Sequence, residues 1–235
     1  MNADDLMTLF TVWDLLAVAL MAASWAYLGH RIESTRAKTP SVTVMMAAFR
    51  HEWMRQFITR APRIYDATIL GSLRQSTSFL ASATMIALGG LLALIGNSER
   101  LIGVAQDLTL ATQTARVVEI KLLLVGLFLT HAFLKFLWSN RLFGYASVVM
   151  SAVPNDPADP LCLPRARILI SADCRAAFNF NRGLRSTYFS LAALTWLAGP
   201  WVLTVAVFVV SYMIWSREFA SYSRSILLNP PPPGG

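Results

Sequence analysis

Residues 186–216 form an unbroken run of 31 positions with no Asp, Glu, Lys or Arg. As an α-helix such a run is longer than the ~30 Å of hydrocarbon in a bilayer, at ~1.5 Å of rise per residue. A helix of a soluble protein keeps a charged stripe toward water, and this stretch has none. Residues 76–96 make a second run of 21 without charge. Two further stretches are less pure. Residues 8–29 carry Asp14, and residues 120–150 carry Lys121, His131, Lys135 and Arg141.

Backbone exposed to lipid must satisfy its own hydrogen bonds, which leaves helices or a closed barrel. The alternating polar and apolar positions of a membrane barrel are missing. The fold class is therefore all-α: an integral membrane bundle of four transmembrane helices, with one or two amphipathic cytoplasmic helices. The expected spans are 8–29, 76–96, 120–150 and 186–216, joined by cytoplasmic connections 30–75 and 151–185. Composition agrees, with 55% hydrophobic and 14% charged residues against about a quarter charged in soluble domains. Residues 1–225 read as one transmembrane domain, and the Pro/Gly-rich residues 226–235 as a disordered tail. No Lys or Arg precedes the first span and two Asp do, so it reads as a retained helix rather than a cleaved signal.

The distribution of positive charge sets an orientation. The first connection holds eight Lys or Arg, from Arg31 to Arg74, and six more run from Arg141, near the end of the third span, through the third connection to Arg185. Arg100 and Arg116 fall in the second connection and Arg217 and Arg224 in the tail, so the long basic connections belong on the cytoplasmic side. With four spans, both termini then lie outside, in the periplasm of a Gram-negative cell. The basic charge is thereby a topology signal with attraction to anionic headgroups, and nucleic-acid binding is not expected.

Within the first connection, Thr39-Pro40-Ser41 reads as a helix start. Val42, Met45, Met46, Phe49, Trp53 and Phe57 then recur at helical spacing, an amphipathic helix. It either lies in the headgroup layer or packs on the inner mouth of the bundle. Ala61-Pro62 ends it. In the second span, Ser78 to Ser82 and Gly89 to Ala93 are small-residue spacings that allow close helix approach, so an interior position is expected. Helical phasing of Leu101, Val104, Leu108 and Ala115 suggests a short surface helix. Pro154, Pro157, Pro160 and Pro164 make a rigid stretch, followed by a second cytoplasmic helix over residues 165–178. In the last span, Gly199-Pro200 predicts a kink near mid-membrane.

Common catalytic motifs are absent: no phosphate-binding Gly loop, no His-Glu-x-x-His, no nucleophile elbow. Cys162 and Cys174 are the only cysteines and, without histidine nearby, make no zinc site. A bis-histidine haem needs His30 or His51 with His131, at mismatched depths. No cofactor or metal is expected.

The chemistry that remains is basic. His131 and Lys135 share a helix face, and Arg141 follows; Arg74 begins the second span, Arg182 and Arg185 the fourth. Together these six are a candidate anion or lipid-binding cluster at the inner interface, although Lys and Arg at helix ends also snorkel there without binding anything. Asp14 and Lys121 fall at similar depth and form a candidate intramembrane charge pair, with Glu119 as a rival partner for Lys121.

Several segments together resemble a known family: Arg60-Ala-Pro-Arg63-Ile-Tyr-Asp66; Lys135-Phe-Leu-Trp-Ser-Asn-Arg141 with Tyr145; Asn181-Arg-Gly-Leu-Arg185 with Tyr188 and Phe189; Trp196; and Arg217-Glu218-Phe219. The chain resembles the bacterial inner-membrane family catalogued as domain of unknown function 599, from the first span to about Ser221. The resemblance implies a four-span membrane fold and no activity. The expectation is a non-enzymatic inner-membrane protein that binds an anionic lipid or a membrane partner subunit at a basic cytoplasmic mouth. The alternative is a small oligomeric anion channel or transporter conducting past Lys135 and Arg141.

Overall fold

The computed structural model describes residues 9–97 and 114–228, and among these every regular element is helical. The surface helix expected near residues 101–115 falls outside them, apart from its last residues, as does the tail beyond Leu228. The elements are α1 (Val12–Glu33), α2 (Val42–Thr59), α3 (Ile64–Ile95), α4 (Ala115–Ala152) and α5 (Cys162–Leu194). A 3-10 turn (Thr195–Ala198) leads into α6 (Pro200–Phe219), and α7 (Tyr222–Leu228) follows. Four helical stretches are long and apolar enough to cross a membrane: Val12–Glu33, Ile64–Ile95, Ala115–Ala152 and Pro200–Leu228. Their outward faces are greasy, Ile86 being 75% and Leu127 68% exposed, as lipid-facing side chains must be.

The chain divides into two compact units. The first comprises residues 1–31, 84–132 and 184–217, the second residues 32–83, 133–183 and 218–235. In the first unit, the Trp25 indole donates to the Ser186 hydroxyl at 3.2 Å and the Trp196 indole donates to the Asp14 carboxylate at 2.7 Å. The end of α5 therefore runs antiparallel to α1. Trp13 and Trp201 meet at a ring separation of 5.0 Å, and the Arg31 guanidinium lies 5.9 Å from the Trp215 ring, so α6 runs parallel to α1.

The predicted kink at Gly199-Pro200 is thus a reversal. Gly199 has φ +117° and ψ 166°, a region that essentially only glycine occupies. The charge-free run 186–216 is accordingly divided. Its first part completes α5, and the fourth apolar stretch begins at Pro200. Because α6 ends where α1 ends, the chain enters and leaves the first unit at opposite ends. The expectation of two termini on one side counted residues 186–216 as a single pass, whereas the structure divides that run at Gly199.

The small residues of α3 also depart from expectation. Ser78, Ser82, Gly89, Gly90 and Ala93 are exposed, and a Cβ added at Gly89 or Gly90 would meet open space. The buried stripe of α3 is instead Leu70, Thr77, Ala81, Thr84 and Leu91.

The second unit has its own apolar core. Met54 and Phe57 of α2 pack with Leu70, Phe143, Met150, Leu169 and Ile170. The amphipathic α2 is therefore a packed element, with Met46 and Phe49 left exposed. Ser41 caps it: its hydroxyl accepts from Val44 N at 3.2 Å and donates to the Ile32 carbonyl at 2.6 Å. Arg63 pins the proline-rich segment by donating to the carbonyls of Val153 and Pro154, both at 2.8 Å. The helix expected over residues 165–178 begins near its expected start but runs on to Leu194, because residues 179–194 contain no proline to break it.

Candidate functional site: a basic cavity in the second unit

α4 and α5 each present a stripe toward one open cavity of about 510 Å³. From α4 come Lys135, Trp138 and Leu142, and from α5 come Arg175, Phe178, Asn179 and Arg182. Both sets follow the three- and four-residue spacing that keeps side chains on one helix face. Glu33, the last residue of α1, closes the lining.

The electrostatics are unbalanced. The Arg182 Nε donates to both Glu33 oxygens, at 2.9 and 3.1 Å, and its terminal nitrogen adds a further short bond. Hydrogen bonding to Glu33 holds the Arg182 pKa above its ordinary value, so this residue keeps its charge. The only acid in the lining is thereby committed. Lys135 and Arg175 have no ion-pair partner among the described residues, whose ion pairs are Arg50–Asp173, Arg55–Glu52, Arg60–Asp66 and Arg182–Glu33. The cavity thus holds two positive charges beside the exposed Trp138 indole.

Of the six residues named from the sequence, the structure places Lys135 and Arg182 in one cavity. Arg74 and Arg141 also belong to the second unit but line neither this cavity nor another described one. The Arg74 Nε donates to Asn140 at 3.3 Å, and Arg141 lies over the Tyr145 ring with its centroid 5.6 Å away. His131 and Arg185 belong to the first unit. The His131 Nδ1 is 2.7 Å from the Ser186 hydroxyl, its ring meets Trp25 edge-on at 5.3 Å, and Arg185 is buried.

Asp14 and Lys121 meet at the same indole. The Asp14 carboxylate accepts from Trp196 and from the Thr11 backbone and hydroxyl, at 2.7, 3.0 and 2.6 Å. The Lys121 ammonium lies 5.5 Å from the centroid of the Trp196 ring.

Sequence reasoning missed Arg175 and Glu33 as members of the cavity, though the spacing from Arg175 to Arg182 on one helix was a signal. It also missed the buried acids Asp66 and Asp173. Asp66 accepts from Trp53 Nε1 at 2.6 Å and from Arg60, and Asp173 pairs with Arg50. Arg50 and Asp173 lie 123 residues apart, and no local pattern announces such a pair. No group of His, Cys, Asp and Glu suited to a metal occurs among the described residues.

Four apolar stretches long enough to span, lipid-facing apolar surfaces and a charged cavity define the class: a multi-pass helical membrane protein. The chain belongs to the family described as protein of unknown function, DUF599, which it matches over residues 16–223. No curated protein and no solved structure matches it.

Proposed function

We propose that this protein binds an anionic lipid headgroup at the cavity between α4 and α5, on the cytoplasmic side of a bacterial inner membrane, without catalysing a reaction. The observation that carries this reading is that Lys135 and Arg175 line one cavity with no acid left to neutralise them. A headgroup phosphate offers several acceptor oxygens to an ammonium and a guanidinium at once. Trp138, half-exposed at the rim, suits the interfacial layer where amphipathic rings settle. Basic side chains near an anionic surface contribute about 1 kcal/mol each. Two of them therefore amount to a preference of order tenfold or more over a neutral lipid.

Native mass spectrometry with mixed phosphatidylglycerol and phosphatidylethanolamine tests this. The double variant Lys135→Ala/Arg175→Ala should lose at least tenfold in retained phosphatidylglycerol. Arg141→Ala, whose side chain lies on Tyr145 outside the cavity, should retain it as the parent does. Equal retention by the parent and the double variant would sink the proposal.

A further inference from the structure

The second unit holds another cavity, of about 290 Å³, along the inner face of α2. It shares one wall residue, Phe178, with the basic cavity and none of its charges. Thr43 and Arg50 both line it. They lie seven residues apart on one face of α2, so the cavity extends over ~10 Å of helix.

The two ends differ in charge. At the Arg50 end the guanidinium is bound by Asp173, which is 1% exposed, and the pair is neutral. At the Thr43 end stands Glu218, which has no ion-pair partner among the described residues. Its oxygens accept from the Thr43 backbone N–H at 3.0 Å and the Thr43 hydroxyl at 2.8 Å, and Asn181 Nδ2 donates to that same hydroxyl at 3.2 Å. These donors are neutral and bring no positive charge to the carboxylate. A carboxylate has about four lone-pair sites, and two remain for a ligand. The rest of the wall is largely apolar and aromatic, including Phe143 and Phe178.

We propose that this cavity binds a small organic cation, with an apolar or aromatic body along α2 and its ammonium group at Glu218. Charge decides against an anion: Arg50 is already held by Asp173, and Glu218 repels. Phe143 and Phe178 in the wall supply aromatic surface for the body of such a ligand. The volume lies near the lower end of the range for ligand pockets, about 300–1,000 Å³, which fits a single-ring amine.

The full chain in phosphatidylcholine nanodiscs, probed with benzyltrimethylammonium by equilibrium dialysis, provides the test. Saturable binding is expected for this cation and not for benzenesulfonate, which carries the same ring and the opposite charge. Glu218→Gln keeps an oxygen for Thr43 and removes the charge, and it should weaken binding at least tenfold. Ala47→Phe, which fills the cavity from α2 and leaves Glu218 in place, should abolish it and decides the matter if the first variant does not fold. Lys135→Ala/Arg175→Ala should bind the cation as the parent does, so failure here is distinct from failure of lipid binding. The proposal is overturned by absence of saturable binding to the parent, or by undiminished binding to the folded variants.

Discussion

Cys174 follows Asp173 on α5, and its environment makes a weak nucleophile of it. Burial first, and the neighbouring Asp173 carboxylate second, push its thiol from the ordinary 9.0 up to about 11, against a smaller opposing pull from Arg50. Only the thiolate attacks alkylating agents. A two-unit rise therefore means roughly a hundredfold less thiolate near neutral pH. In a Cys162→Ser background, N-ethylmaleimide should label Cys174 far more slowly than a small free thiol at pH 8, with the rate still climbing above pH 9. Asp173→Asn should speed labelling, because it removes the negative neighbour. Equal rates in the two proteins would show that Asp173 does not act on the thiol. Asp173 also matters to stability. It is fully buried with Arg50 as its ion-pair partner, while burial raises its own pKa. Asp173→Ala leaves a mostly buried guanidinium without its partner, a change that costs about 3–5 kcal/mol in comparable buried pairs. Thermal unfolding in detergent should show a large loss, and Asp173→Ala/Arg50→Met should recover most of it.

At the scale of elements, two glycines bear on how α5 is placed. Gly183 faces Phe136 of α4, and a Cβ there would fall 2.6 Å from the ring. Gly183→Ala must displace a buried phenyl, and overpacking of this kind costs about 1–3 kcal/mol. Combining it with Phe136→Leu should restore the melting temperature; if it does not, the contact is not the cause. Gly199 is the second, and its backbone permits the reversal between α5 and α6. Much of this element map was legible beforehand. Long apolar runs, only one of them free of charge, marked three of the four apolar stretches, and Thr39-Pro40-Ser41 marked the start of α2. The fourth went astray because Gly-Pro in an apolar run is compatible with either a kink or a reversal. What separates them is pairing between distant residues, Trp25 with Ser186 and Trp13 with Trp201, which periodicity does not carry. The candidate site suffered in the same way. His131 and Lys135 share a face of one helix, yet His131 is occupied by Ser186 and Trp25 whereas Lys135 lines a cavity.

For the whole molecule, the reversal at Gly199 bears on the side of the membrane to which the C-terminal segment returns. Fourteen of the twenty Lys and Arg fall in the residue ranges of the second unit, and the retention of positive charge predicts the cytoplasmic side for segments of this kind. α1 and α6 run parallel, and each continues directly into second-unit residues, at Ile32 and Glu218. The Asp14 end of the first unit carries the exposed Trp13 and Trp201, residues of the kind enriched where a span meets a membrane interface. A single pass over residues 186–216 would return the chain to that interface, whereas two antiparallel segments carry it back inside. The two topologies therefore assign opposite compartments to Leu228. Green fluorescent protein fused after Leu228 should fluoresce, and alkaline phosphatase fused at the same point should be inactive. Phosphatase activity there, with a dark fluorescent fusion, would support residues 186–216 as a single pass and remove Gly199 as a reversal. Gly199→Ala supplies the energetic counterpart. A non-glycine residue in that backbone region costs about 1–3 kcal/mol, so the variant should melt earlier, whereas a glycine in a simple kink would tolerate alanine.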